Sequence, residues 1–253
     1  MKSVRTALSV FEAVASRQPV GLSALAREVA LPKATVQRSL AALADAGWLV
    51  QDLLDPGRWV VSARFAVLTD AAPLVQTTRA IARPHLARLR DSTGETVGLF
   101  TIDGDHMVLL DGIESTQVVR VVERETGPLP IHVSAAGRAM LATLPPEQLS
   151  AVIDRLARRG LARYTDRSTV DSKALRKRVD DARRRGYATV DREYVDDLCG
   201  IGAAVLGPGG MPAAAVALLA PSYRLSSKEA DRTGRAVAEC AAMIGADLRR
   251  STR

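Results

Sequence analysis

The stretch Leu22-Ser-Ala-Leu-Ala-Arg-Glu-Val-Ala-Leu-Pro-Lys-Ala-Thr-Val-Gln-Arg-Ser-Leu-Ala-Ala-Leu-Ala-Asp-Ala46 decides the fold of the first part of the chain. Leu22, Leu25, Ala26 and Val29 recur at helical spacing and predict one short helix. Val36, Leu40, Leu43 and Ala44 predict a second, with Pro32 at a first helical position and Gly47 as its stop. A four-residue break between two such helices is the spacing of a helix-turn-helix, whose second helix enters the major groove of DNA. The outward positions suit that task. Lys33, Ala34 and Thr35 are short or polar at the helix start, and Gln37 and Arg38 follow one turn on. Arg38 can reach guanine or phosphate with a forked donor, and Gln37 can pair with adenine.

Working outward, Val4, Ala7, Leu8, Val10, Phe11 and Val14 predict a preceding helix from Ser3 to Ala15. Trp48 to Gln51 and Arg58 to Ser62 read as strands around the turn Asp55-Pro56-Gly57. That hairpin is a wing, with Arg58 at its tip to hold phosphate or enter a minor groove. Residues 1–62 are thus expected to form a winged helix-turn-helix DNA-binding domain. The competing reading is a three-helix bundle packed on a second domain.

Residues 63–80 read as a linker helix, broken at Pro73. Its Phe65, Val67, Leu68 and Leu74 are either a dimer seam or packing against the wing. Residues 81–253 hold a helix from Pro84 to Asp91 and strands at Glu95–Ile102, Met107–Ile113 and Val118–Glu123. Helices follow at Ala135–Leu144, from Pro146 to before Gly160, and at Val170–Arg185. Strands return at Tyr187–Val190, Ile201–Leu206 and Pro212–Leu219, and a final helix is capped by Ser226 with Glu229. The fold class expected is α+β, a largely antiparallel sheet flanked by helices.

Composition narrows the function. The chain has 253 residues with 47% apolar and 25% charged, which excludes general disorder. The longest apolar run, Met211 to Ala220, is about half of what a membrane-spanning helix needs, and the N-terminus has no signal-peptide pattern. A cytoplasmic protein with no membrane partner is expected. The net charge of +7 is local, concentrated between residues 150 and 189 in predicted helices that also carry Asp154, Asp171, Asp180 and Asp181. Charge alone therefore does not argue for DNA. His85, His106 and His132 lack ligand spacing, and Cys199 and Cys240 lack a metal or redox motif. Gly200-Ile-Gly202 lacks a third glycine for a dinucleotide loop. No catalytic residue, metal or cofactor is expected, and no enzyme.

These segments, together with Gly94-Glu-Thr-Val, Ile131-His-Val-Ser-Ala-Ala-Gly-Arg-Ala-Met-Leu-Ala, Gly186-Tyr-Ala, Glu193-Tyr and Pro221-Ser-Tyr-Arg-Leu, resemble the IclR-type bacterial transcriptional regulators along essentially the whole chain. The resemblance implies a GAF-like effector-binding domain and homo-oligomers, dimers or tetramers, on a pseudo-palindromic double-stranded DNA operator of a catabolic or metabolic operon. It also implies a small-molecule effector seated against the turn before Ala135. There Ser134 caps a helix whose first amides can hold an anion, and Ala135, Ala136 and Gly137 leave room for a carboxylate. Walls are expected from Val97, Leu99 and Leu110, with the loop Asp191 to Gly200, including Glu193 and Cys199, closing over. The competing reading makes Ser134 a plain cap and the small residues a packing device. In the family's ligand loop an acid followed ten positions later by cysteine contacts a small carboxylate. Here those positions are Val190 and Gly200, with Asp191 and Cys199 one place away. Either the loop is re-registered or the effector is larger and less polar, an organic acid with a hydrophobic or aromatic body. The alternative function is a small-molecule-binding or hydrolytic module, or an adaptor, with an accessory helical domain.

Overall fold

The breakers Pro19, Pro32 and Gly47 and the apolar stripes between them set out the first unit. The computed structural model describes residues 2–65, 73–122, 128–225 and 227–251, and the chain divides into two compact units, Met1–Pro73 and Leu74–Arg253. In the first, α1 (Lys2–Arg17), α2 (Leu22–Glu28) and α3 (Lys33–Asp45) close on Val10, Val14, Leu25, Val36, Leu40 and Leu43. Pro32 precedes α3 as its N-cap, and Gly47 follows it at φ +77°, a left-handed conformation that costs glycine little. Two strands form the wing, β2 (Leu49–Gln51) and β3 (Arg58–Val61). A third, β1 (Val20–Gly21), pairs with the far edge of β3 and gives the order β1-β3-β2. The break predicted at Pro19 to Gly21 is therefore also a strand, too short to leave a periodic signal. Phe65 packs on Phe11 at 5.4 Å between ring centroids and on Trp48 at 6.1 Å. Its ring is thus engaged within this unit rather than free for a dimer seam, while Val67, Leu68 and the Leu74 side chain lie outside the described residues.

The second unit opens with α4 (Pro73–Thr93), one helix carrying Pro84 inside it. The residues just before the predicted break at Pro73 lie outside the described ones, and the sequence predicts a new helix at Pro84. Instead Ala82, Leu86 and Leu89 stay buried along one continuous face, and their burial outweighs the hydrogen bond that proline removes. Six antiparallel strands follow in the order β6-β5-β4-β9-β8-β7. They are β4 (Thr96–Asp103), β5 (His106–Ile113), β6 (Leu129–Pro130), β7 (Ala188–Asp191), β8 (Leu198–Leu206) and β9 (Pro212–Pro221). Both faces are covered. On one, α4 and α8 (Ser227–Ser251) pack against Val97, Leu99, Ile201, Val205, Val216 and Leu218. On the other, α5 (Ala135–Leu141), α6 (Pro146–Arg159) and α7 (Ser172–Arg185) pack against Phe100, Ala215, Ala217 and Leu219.

The expected strand at Val118–Glu123 is not one over its described residues. Val118 and Val119 are 95% and 59% exposed, because β6 pairs with β5 instead and the segment is held by Thr96 Oγ1 donating to the Val121 carbonyl at 2.8 Å. Ser226, the expected cap of the last helix, lies outside the described residues.

Candidate nucleic-acid interface and ligand cavity

The core of the first unit leaves the outer face of α3 bare. Lys33, Ala34, Gln37 and Arg38 are exposed and Thr35 is half-buried. Arg38 Nη2 donates to Thr35 Oγ1 at 3.4 Å, a weak contact that leaves most of the guanidinium's donors free. Arg58 is committed more firmly. Its Nε donates to Asp55 at 3.0 Å and its Nη1 to the Pro19 carbonyl at 3.1 Å, so it braces the base of the wing turn. With Arg17 and Arg27 it lines a groove along α2.

In the second unit a small cavity of about 30 Å³ sits between the sheet and the start of α5. Ser134, Ala135, Ala136 and Gly200 line it, as do Phe100, Leu129, Val133, Val190, Tyr194, Leu198, Ala217 and Leu219. Ser134 Oγ accepts the Gly137 amide at 3.2 Å, the capping bond that its position predicts. The loop before β8 contributes Tyr194, and β8 itself opens with Leu198.

The remaining residues of the expected site lie elsewhere, for separate reasons. Val97, Leu99 and Leu110 pack with α4 and α8 on the opposite face of the sheet. Successive side chains of a strand alternate, so Phe100, next to Leu99, turns to the cavity, and β4 runs there in regular register with β9. Gly137 faces the Ile131 backbone, where an added Cβ would stand 2.6 Å from its carbonyl oxygen. Asp191 pairs with Cys199, and Val190 with Gly200, across β7 and β8. Val190 and Gly200 thus face the cavity, while Asp191 and Cys199 point to the other side. There Asp191 binds Arg167 and Arg192, and the Cys199 thiol donates to Asp191 at 3.1 Å. Burial first, and then the hydrogen bond to Asp191 and its charge, push that thiol up to about 12, the opposite of the lowered value that activates a cysteine nucleophile. No group of residues able to hold a metal ion occurs among the described residues.

Glu193 is occupied by a residue that the sequence reading passed over. Arg138, on α5, is fully buried. Its guanidinium donates to both Glu193 oxygens at 2.7 and 2.5 Å, to the His132 carbonyl at 2.6 Å and to Thr169 Oγ1 at 2.9 Å. Glu193 also accepts the Thr169 amide at 2.9 Å. Burial opposes the charge on Glu193, yet the Arg138 hydrogen bonds and charge prevail and hold its carboxyl below the usual value. Two further bonds tie the adjoining loops together, Thr165 Oγ1 to the Arg192 carbonyl and Ser168 Oγ to the Glu193 carbonyl. Tyr164 lies 4.9 Å from Tyr194 between ring centroids. One guanidinium therefore anchors both the helix that floors the cavity and the loop that covers it. The clue in the sequence is a lone arginine in the small-residue run Ala135-Ala-Gly-Arg-Ala.

A winged helix-turn-helix with a bare polar reading helix, followed by a sheet domain with its own cavity, defines a DNA-binding regulator with a separate sensor domain. Residues 3–53 match the IclR helix-turn-helix domain, and residues 74–246 match the family described as bacterial transcriptional regulator IclR C-terminal. The chain belongs to the IclR family of bacterial transcriptional regulators. It is 30% identical over 244 residues to the acetate operon repressor of Salmonella typhimurium, covering 95% of this chain and 88% of that one. It is 31% identical over 218 residues to the repressor AllR of Klebsiella pneumoniae, covering 86% and 79%. Among solved structures, an IclR homolog from Microbacterium hydrocarbonoxydans complexed with 4-hydroxybenzoate superposes with a TM-score of 0.77 at 24% identity, over 98% of this chain and 99% of that one. Thermotoga maritima IclR gives 0.74 at 21% identity, over 98% and 99%. These relatives are transcriptional regulators, not enzymes, and the fold is α+β as the sequence predicts. Among the described residues no helix is long and apolar enough to cross a membrane.

Proposed function

We propose that the chain is a cytoplasmic repressor of a catabolic or metabolic operon that grips a pseudo-palindromic operator as a homodimer or homotetramer. On this reading Lys33, Ala34, Thr35, Gln37 and Arg38 face the major groove, Arg58 and the wing lie on the adjoining backbone, and the effector is an organic carboxylate with an aromatic body. The cavity lining carries the proposal. Its side chains are apolar except for Ser134 and the Tyr194 hydroxyl, and the amides heading α5 supply the polar end. Support also comes from the 4-hydroxybenzoate bound to the similar Microbacterium protein.

A volume of about 30 Å³ holds roughly one water molecule. A ligand therefore enters only as Tyr194 and Leu198 move out, and it favours whichever state of the protein has them displaced. Calorimetric titration with 4-hydroxybenzoate, benzoate, glyoxylate and pyruvate, on the parent and on Ala136→Trp, tests the site. Binding of an aromatic acid that weakens at least tenfold in Ala136→Trp is expected. Equal binding by the two proteins, or a preference for glyoxylate or pyruvate, would overturn the assignment.

A further inference from the structure

Helix α7 carries seven Lys and Arg against two Asp, while the rest of residues 74–253 carries 20 against 20. The entire charge excess of the sensor unit therefore sits on one fourteen-residue helix. Part of it has a local explanation. Arg183 caps the end of α5 through the Ala142 and Leu144 carbonyls, Arg176 donates to Ser150 Oγ and Arg184 binds Asp181. Arg185 lies in the last turn, where the helix dipole favours cations.

Lys173, Lys177 and Arg178 have no such explanation. All three are exposed, and none has a hydrogen-bond or ion-pair partner among the described residues. Lys173 stands in the first turn of α7, where the dipole disfavours positive charge, and Lys173 and Lys177 repel each other at i and i+4. Of the two acids on the helix, Asp181 is taken by Arg184, and both are half-buried. Leu175, Val179 and Ala182 turn the opposite face into the core, which fixes the three cations outward.

We infer that Lys173, Lys177 and Arg178 form a second DNA-backbone surface, on the sensor unit, for duplex DNA held by the helix-turn-helix unit of the same assembly. The proposal rests on the family's DNA binding and not on the identity of the effector. Two of the three are lysines, point charges without a fork, and Arg178 is the single forked donor among them, so the surface takes phosphates without marked sequence preference. Such contacts release counterions and appear in the salt dependence of binding.

The test is the salt slope of full-length protein on a non-specific duplex of about 60 base pairs, long enough to extend past one protein footprint. The variant Lys173→Gln/Lys177→Gln/Arg178→Gln is compared with Arg79→Gln/Arg232→Gln/Arg235→Gln, which removes equal charge from exposed positions elsewhere on the unit. Each lost phosphate contact lowers the magnitude of the slope by about 0.9. A fall of about 2 to 3 in the α7 variant, with the control unchanged, is expected, and melting temperatures confirm that both fold. Equal slopes in the two variants, or no change in either, would overturn the inference. An acidic protein partner for this face would give that second result.

Discussion

Arg138 and Glu193 form a two-pronged ion pair with the arginine side chain wholly out of solvent. They lie 55 residues apart in sequence, and their contact joins the start of α5 to the loop that carries Tyr194. Removing one partner of a buried pair leaves the other charged and unpaired, at a cost of about 3–5 kcal/mol. Glu193→Ala should therefore lower the stability of the sensor unit by that amount in denaturant unfolding. The carboxyl is held below its ordinary value of 4.5, so its contribution is complete above pH 4.5 and is lost as the pH falls through the lowered folded value. Stability of the parent measured from pH 5 downward should drop more steeply than that of Glu193→Ala.

His132 gives a second pH dependence in a different window. Burial holds its pKa below 6.5, helped by Arg138 and opposed by the bond to Ala162 and the charge of Glu193. Its Nε2 lies 3.0 Å from the Ala162 carbonyl. The unfolded chain takes up the proton first as pH falls, so the contribution is complete above about pH 6.5 and declines below it. In His132→Gln the change in stability between pH 7 and pH 5.5 should be smaller than in the parent. An identical pH profile would show that folding does not shift the pKa of this imidazole.

Two glycines on the same face of β8 should respond differently to a methyl group. At Gly202 an added Cβ would stand 2.6 Å from the Ala135 carbonyl carbon and 2.7 Å from the Ala136 nitrogen, whereas at Gly200 the nearest atoms are 3.4 Å and 3.5 Å away. Gly202→Ala must push α5 off the sheet, with a cost of about 1–3 kcal/mol expected for overpacking. Gly200→Ala should fold normally and remove cavity volume instead. Thermal melting separates the two, and equal losses would mean that α5 does not rest on β8 as described.

Much of this was legible in the sequence, and the failures have physical causes. The reading helix was legible because Val36, Leu40 and Leu43 alternate with exposed polar residues at a period that only a helix satisfies. The cavity wall was not, because β4 is apolar on both faces. Val97, Leu99 and Phe100 are all buried, so alternation cannot say which face meets α5. The register of Val190 with Gly200 needed the β7–β8 pairing, since a shift of one residue exchanges the faces. Arg138 was missed because a cation on a helix is ordinarily solvated, and only the distant Glu193 accounts for its burial. Pro84 misled because proline favours a helix start, and nothing local reveals the packing that carries α4 through it.

The central claim is that α3 reads operator DNA, and footprinting of the DNA upstream of the protein's own gene tests it most directly. The parent should protect two half-sites about one helical turn apart, roughly 34 Å. Arg38→Ala should need a concentration higher by the equivalent of about 1–3 kcal/mol to protect them. Protection by Arg38→Ala at the parent's concentration, with an unchanged salt slope, would contradict the account.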